Sequence, residues 1–214
     1  MRKLVYSITL LFCLALAACS SQQDTQNSGT DNPEASQINV RLGLGYLQQE
    51  NYPRAKEKLL LAAQQNASQQ SYGALAYYYE RTKDNKLAAD YYQKAIALNV
   101  KNGAPHNNYG AYLCRNGDYA TAEQQFQLAV NDPKYINSAT AYENAGLCAL
   151  LIPDKTKAEM YLKKAIQQNP RLPKSLYELA QLSDEQQNHS QAKLYLDQYS
   201  KLKAAKIKGS NYAQ

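Results

Sequence analysis

The chain has 214 residues, of which 44% are hydrophobic and 20% charged, and its formal charge at pH 7 is +6. This length suits a single folded domain. The basic excess is mild and forms no dense stripe interleaved with aromatic residues, so the composition argues against a protein that binds nucleic acid.

The first 18 residues have the pattern of an export signal. Arg2 and Lys3 form a positive start, and residues 4–18 are mostly apolar. The apolar run is shorter than the roughly 20 residues that a membrane-spanning helix requires. It ends in Leu-Ala-Ala-Cys, with the cysteine at position 19. This ending resembles the lipobox of bacterial lipoproteins, and an ordinary signal peptide with a chance cysteine is the alternative.

The lipobox resemblance implies that residues 1–18 are removed and that Cys19 is diacylated. More than one acyl chain anchors a protein stably, whereas a single chain is marginal. The next residue is Ser20 rather than aspartate, which favours the outer membrane by the sorting rule of Gram-negative lipoproteins. We therefore expect a protein that is lipid-anchored to the outer membrane and faces the periplasm.

Residues 19–36 are predicted to be a flexible tether behind the lipid. The stretch from Ser20 to Ser36 is polar and contains no aromatic and no basic residue, so it has little apolar area to bury. The predicted folded domain accordingly runs from residue 37 to residue 214.

A repeat with a period near 34 residues runs through the predicted domain. Alanines recur at spacings of 33, 34, 36 and 34 residues, and each is followed four residues later by a large residue. The alanines are Ala55, Ala88, Ala122, Ala158 and Ala192, and the large residues are Leu59, Tyr92, Phe126, Leu162 and Leu196. This resembles the tetratricopeptide repeat, a helix-turn-helix unit of about 34 residues. The sequence predicts an all-α tetratricopeptide-repeat superhelix of about five to six units.

Small residues at fixed places in these units indicate close helix packing. Two antiparallel helices approach closely only where small side chains allow it, and Gly43, Gly110 and Gly146 are predicted to be such points. Most of the 19 tyrosines are predicted to fill the spaces between helices rather than to form a binding face.

Catalytic and cofactor chemistry is poorly supported by the sequence. The chain has two histidines, His106 and His189, and no cluster of carboxylates accompanies either of them. We find no nucleophile motif and no glycine-rich phosphate loop. The sequence therefore predicts a protein that is not an enzyme and that has no metal, no cofactor and no small-molecule substrate.

Two cysteines, Cys114 and Cys148, lie in the predicted domain. A disulfide between them is expected because the periplasm is oxidising. Their places within the repeat differ by two positions, so two buried free thiols remain the alternative. A catalytic thiol is disfavoured, because no histidine is suitably placed.

The first helices of the stacked units are predicted to line a concave face that contacts a partner. In unit 1 the aliphatic residues of this face suggest a groove for an apolar segment, and in later units amide side chains suggest bonds to an extended peptide. The candidates are Val40, Leu44, Leu47, Tyr77, Arg81, Asn107, Asn108, Arg115, Glu143 and Asn144. The alternative is that the leucines pack under a neighbouring segment and that the asparagines bond local backbone.

The runs Asn-Asn-Tyr-Gly-Ala-Tyr-Leu-Cys-Arg-Asn-Gly from residue 107 and Glu-Asn-Ala-Gly-Leu-Cys from residue 143 are more specific than the repeat itself. With the lipobox and the polar tether, they resemble the PilF/PilW family of type IV pilus biogenesis lipoproteins. The resemblance implies a pilotin, which binds the pilus secretin and assists its outer-membrane localisation and multimerisation. The alternative is another periplasmic repeat lipoprotein that coordinates cell-wall or envelope-assembly machinery.

Overall fold

The computed structural model describes residues 31–152 and 154–210, with side chains as far as residue 205. The described residues from Asn32 onward form one compact unit. Ten helices and no strand occur in the described residues. The helices are α1 (Pro33–Gln48), α2 (Tyr52–Gln65), α3 (Gln69–Arg81), α4 (Asn85–Leu98), α5 (Gly103–Arg115), α6 (Tyr119–Val130), α7 (Ser138–Ala149), α8 (Lys155–Gln168), α9 (Pro173–Glu185) and α10 (His189–Ser210).

Consecutive helices form five helix-turn-helix pairs, which we call units 1 to 5. Each first helix packs against the second helix of its own unit, and each unit otherwise contacts only its neighbours in the chain. The predicted all-α tetratricopeptide-repeat fold is thereby confirmed. A sixth unit is not present in the described part of the chain, where α10 runs on as a single helix of 22 residues.

The predicted end of the tether at Ser36 is wrong. Helix α1 already begins at Pro33, because the side chain of Asn32 caps it by accepting from the N–H of Ala35. Ser36 is buried, and its hydroxyl donates to the carbonyl of Ala62 at 2.8 Å. The folded part therefore includes residues 33–36. The predicted signal peptide, Cys19 and the remainder of the tether up to residue 30 lie outside the described residues.

Short polar turns separate the two helices of a unit. An Asn or Asp side chain caps the second helix in all five units, at Asn51, Asp84, Asp118, Asp154 and Asn188. Just before the cap the chain adopts a positive φ, between 57° and 84° in units 1, 2, 3 and 5. Only unit 3 has a glycine there, Gly117, which adopts this conformation without steric cost.

The core follows the small and large pattern of the repeat. To compare units, we number positions so that Gly43, Ala76, Gly110, Gly146 and Ala180 occupy position 8. An added Cβ at Gly43, Gly110 or Gly146 would lie within 3 Å of the large residue of the second helix in the same unit. The close approach of paired helices therefore depends on these small residues.

Cys114 on α5 and Cys148 on α7 form a disulfide, with Cα atoms 5.9 Å apart. The bond joins the first helices of units 3 and 4. The two-residue offset within the repeat does not prevent this contact. The cysteines consequently have a structural position in the core, where both are buried.

Candidate functional site

The first helices of units 2, 3 and 4 line a cavity of about 250 Å³. Five of the predicted partner-binding residues meet there, namely Tyr77, Asn107, Asn108, Arg115 and Asn144. The cavity also includes Gly73, Tyr92 and Ala111. The sequence-based expectation that these side chains share one face is in agreement with this geometry.

A second cavity, of about 430 Å³, adjoins the first and shares Arg115 with it. It is lined by Tyr52, Glu80, Arg81, Lys83, Asn85, Arg115 and Asn116. Arg81, a further predicted contact residue, lies here. We call the two adjoining cavities the polar groove.

Arg115 is held at the centre of the polar groove by Glu80. Its Nε and Nη2 donate to the two carboxylate oxygens of Glu80 at 2.6 and 3.0 Å, and the Tyr92 hydroxyl donates to the same carboxylate at 3.0 Å. Burial lowers the pKa of Arg115, but the hydrogen bond and the charge of Glu80 outweigh it, so the pKa is raised. Burial, and then the charge of Glu80, raises the pKa of Tyr92. Arg115 is therefore a fixed cation and Tyr92 a neutral donor.

The asparagines of the groove have different roles. Asn107 is buried, and its side-chain oxygen accepts from Nδ2 of Asn144 at 2.9 Å. This bond connects α5 to α7. Asn108 is exposed, and its side chain has no hydrogen-bond partner among the described residues. Asn108 is thus the amide that faces the groove without an internal role.

Three predicted contact residues have internal positions instead. Val40 and Leu47 are 2% and 1% exposed and belong to the hydrophobic core between α1 and the helices that pack against it, α2 and α3. Leu44 is partly buried against the same core. The prediction that Val40 and Leu47 face a partner is wrong, since side chains this deeply buried cannot contact one.

Glu143 is likewise used within the array. Its Oε2 accepts from the backbone N–H and the hydroxyl of Ser175 at 3.2 and 2.7 Å. Ser175 lies on α9, so this carboxylate joins unit 4 to unit 5 and caps the start of α9. Glu143 was predicted to contact a partner, but in the structure its carboxylate instead links unit 4 to unit 5.

An apolar stripe on α1 was missed by the sequence reasoning. Ile38 and Leu42 are 43% and 45% exposed, and an added Cβ at Gly45 would meet nothing within 4 Å. These three residues occupy positions 3, 7 and 10 of unit 1, spaced along one side of the helix. We call them the unit-1 edge.

The same positions are buried in every other unit. They hold Ser71, Leu75 and Tyr78 in unit 2, Pro105, Tyr109 and Tyr112 in unit 3, Ala141, Ala145 and Cys148 in unit 4, and Ser175, Leu179 and Leu182 in unit 5. The preceding unit covers them, as the contacts of Tyr92 with Tyr109 and Tyr112 illustrate. Comparing equivalent positions across repeats could have identified the unit-1 edge, because apolar residues there have no preceding unit in the predicted domain.

The part of the chain that is described contains no group of three or more potential metal ligands. None of the helices described has the length and the apolar composition needed to cross a membrane.

Comparison with known proteins agrees with the tetratricopeptide-repeat fold and also identifies the family. Two models of the tetratricopeptide repeat match residues 69–102 and 91–124. The type IV pilus assembly protein PilF of Pseudomonas aeruginosa is 30% identical over 194 residues, which cover 89% of this chain and 77% of PilF. The chain belongs to the PilF/PilW family.

Solved structures of the PilF/PilW family resemble this one closely. The structure of Pseudomonas aeruginosa PilF has a TM-score of 0.72 and 31% identity, covering 78% of this chain and 76% of that one. PilW, described as a type IV pilus biogenesis factor, has a TM-score of 0.69 and 25% identity, covering 80% and 79%. A Haemophilus influenzae protein is 38% identical over 141 residues, which are 65% of this chain and 77% of that protein. The resemblance inferred from the sequence is confirmed.

Proposed function

We propose that this PilF/PilW-family protein acts in type IV pilus biogenesis as an outer-membrane lipoprotein. In this proposal it binds the pilus secretin and assists the localisation and multimerisation of that protein. Two observations support it: the names of the relatives, which connect them to type IV pilus assembly and biogenesis, and the Leu-Ala-Ala-Cys motif ending at Cys19. The protein is a scaffold in this proposal and not an enzyme.

The observation that carries the binding role is the uncovered unit-1 edge. Ile38 and Leu42 are exposed at positions where units 2 to 5 bury their residues against a preceding helix pair. Burying an aliphatic side chain of this size contributes about 1.5–3 kcal/mol when it goes from fully exposed to fully covered. A secretin segment that packs there in the place of a preceding helix would gain part of this free energy.

Gly45 makes the unit-1 edge suited to a helical segment. Equivalent residues in units 2 to 5 include Tyr78, Tyr112 and Leu182, which fill the space between units. With no side chain at Gly45 and nothing within 4 Å of it, the backbone of an incoming helix can approach α1 closely. Lipid on Cys19 would place this edge at the membrane where the secretin assembles.

The experiment compares secretin in the outer-membrane fraction of a strain that lacks this protein. The SDS-resistant multimer and the monomer are quantified after complementation with the wild-type protein, Cys19→Ala, and the double variant Ile38→Ser/Leu42→Ser. Leu194→Ser is the matched control, because Leu194 is also exposed but lies on α10 at the other end of the array.

We expect wild type and Leu194→Ser to restore the multimer, and Ile38→Ser/Leu42→Ser to fail although it accumulates to the same level. We expect Cys19→Ala to lose the outer-membrane location of the multimer. If multimers form normally in the deletion strain, the secretin role is wrong, and a partner in cell-wall or envelope assembly becomes the next candidate. If the double variant complements fully, the unit-1 edge is not the binding surface.

A further inference from the structure

Two arginines occupy the same repeat position in neighbouring units. Arg81 and Arg115 are both at position 13, the last residue of α3 and of α5, and both line the polar groove. The corresponding residues of units 1, 4 and 5 are Gln48, Leu151 and Glu185. The pair of cations is therefore specific to the junction of units 2 and 3 and is not a general feature of the repeat.

Both guanidinium groups retain hydrogen-bond donors for a ligand. Arg115 uses Nε and Nη2 on Glu80, so its Nη1 is available, and its side chain is 53% exposed. Arg81 is exposed; its Nη1 donates to the Tyr77 hydroxyl at 3.3 Å, and its guanidinium also interacts with Tyr52. An arginine has five N–H donors, so each of these two can still bind a carboxylate.

The charge of this part of the groove is positive. The charged residues that line it are three cations, Arg81, Lys83 and Arg115, and one anion, Glu80. Glu80 is only 14% exposed, and its carboxylate already binds Arg115 and Tyr92. An approaching ligand therefore meets two net positive charges and no free carboxylate among these lining residues, which favours an acidic ligand.

The two arginines lie on neighbouring packed helices, and the distance between such helices sets the scale on which the acidic groups of a ligand would be arranged. Packed helices lie about 8–10 Å apart, and α3 packs against α5. In a polyproline II conformation, side chains three residues apart lie on the same side of the chain and about 9 Å from each other. We propose that the polar groove binds an extended, polyproline II-like segment of a partner protein that carries two acidic side chains three residues apart.

The side-chain amide of Asn108 supplies a further contact for the proposed segment. Asn108 faces the groove with its side-chain donor and acceptor unused within the described residues. A polyproline II chain makes no internal hydrogen bonds, so its backbone groups are free to pair with such an amide. The polar groove is a second binding surface, separate from the unit-1 edge, and the ligand chemistry proposed for it does not depend on the identity of the partner.

The test uses the purified protein and three fluorescein-labelled peptides, with affinity measured by fluorescence polarisation. The first peptide has the core Glu-Pro-Pro-Glu, the second has Gln-Pro-Pro-Gln, and the third has the same composition as the first with its two glutamates adjacent. The variants are Arg81→Gln and Arg115→Gln. Arg171→Gln is the matched control, because Arg171 is an exposed arginine outside the groove. Thermal unfolding of each variant reports whether the fold is retained.

We expect the Glu-Pro-Pro-Glu peptide to bind more tightly than the other two. We expect Arg81→Gln and Arg115→Gln to weaken its binding by about fivefold each, as befits partly exposed ion pairs, and Arg171→Gln to leave it unchanged. Binding should disappear near 1 M salt, where the Debye length is about 3 Å. If the Glu-Pro-Pro-Glu peptide binds no more tightly than either of the other two peptides, or if Arg81→Gln or Arg115→Gln leaves its binding unchanged, the proposal is overturned. Because these measurements contain no secretin, they can fail while the proposed function stands.

Discussion

Glycine at position 8 controls how closely the two helices of a unit approach. In unit 1, a Cβ at Gly43 would lie 2.6 Å from two side-chain atoms of Leu59, which is fully buried. Two residues further along the same helix, a Cβ at Gly45 would meet nothing within 4 Å. The two glycines share a helix and differ in their surroundings, so they form a matched pair.

We predict opposite effects of alanine at these two positions. Gly43→Ala should destabilise the protein by about 1–3 kcal/mol, because Leu59 has no space into which it can move. Gly45→Ala should stabilise it by about 0.5–1 kcal/mol, because alanine forms helix more readily than glycine. Chemical denaturation of both variants measures the free energies of unfolding, and a loss of stability in Gly45→Ala would show that the edge is more crowded than the structure indicates.

At the scale of single residues, sequence reasoning located the polar groove but not the apolar surface. Tyr77, Asn108 and Arg115 were predicted to face a partner and do line one groove, because their repeat positions determine the side of the helix on which they lie. Val40 and Leu47 were assigned to that side by the same counting, yet both are buried in the hydrophobic core. Repeat position gives direction, whereas burial depends on the distance between particular helices, which the sequence does not contain.

At the scale of elements, the disulfide joins two helices that belong to different units. Cys114 and Cys148 are separated by 34 residues, so the bond closes a loop that includes all of α6 and both inter-helix turns around it. The chain-entropy model gives such a loop about 3.5–4 kcal/mol. The stabilisation acts on the junction of units 3 and 4, which would otherwise depend on packing and on contacts such as Lys157 with Glu123.

We predict that losing the disulfide lowers the free energy of unfolding by about 2–4 kcal/mol. The measurement is denaturant unfolding of the wild type with and without a reductant, beside the variant Cys114→Ala/Cys148→Ala. Reductant should lower the unfolding midpoint of the wild type and have no effect on the variant. An identical midpoint for oxidised wild type and the variant would contradict a structural role for this bond.

Helix pairs were predictable from sequence, but one boundary was not. The alanine spacing identified all five units because each needs a small residue where its helices cross, and this requirement repeats along the chain. The start of α1 was placed too late because residues 33–36 are polar in composition. Their helix depends on the Asn32 cap and on the bond from Ser36 to Ala62, a tertiary contact that composition cannot reveal.

At the scale of the whole array, stability is expected to be highest in the middle. Units 2, 3 and 4 have a neighbour on both sides, whereas units 1 and 5 have one each among the described residues. In repeat proteins the stability of a unit depends on its own folding and on its interfaces with neighbours. The disulfide adds a covalent link between units 3 and 4.

We therefore predict that backbone amides exchange most slowly in α5 to α8 and fastest in α1 and α10. Native-state hydrogen exchange followed by mass spectrometry would measure this order in the oxidised protein. The reduced protein is the control, in which protection of units 3 and 4 should fall while that of α1 is unchanged. Exchange in α10 as slow as in α5 would contradict the expected order.

The two ends of the array differ, and the difference determines how many partner segments one molecule can bind at its ends. At the unit-1 edge Ile38 and Leu42 are exposed, whereas on α10 the exposed Leu196 lies between the charged residues Lys193 and Asp197. Stacking one copy on the next, head to tail, would place the unit-1 edge against these charged side chains and would remove them from water, which disfavours polymerisation. Within the described part of the chain the array thus offers one apolar edge of this kind, and a ring of partner subunits that each donate one segment would recruit one copy of this protein per subunit.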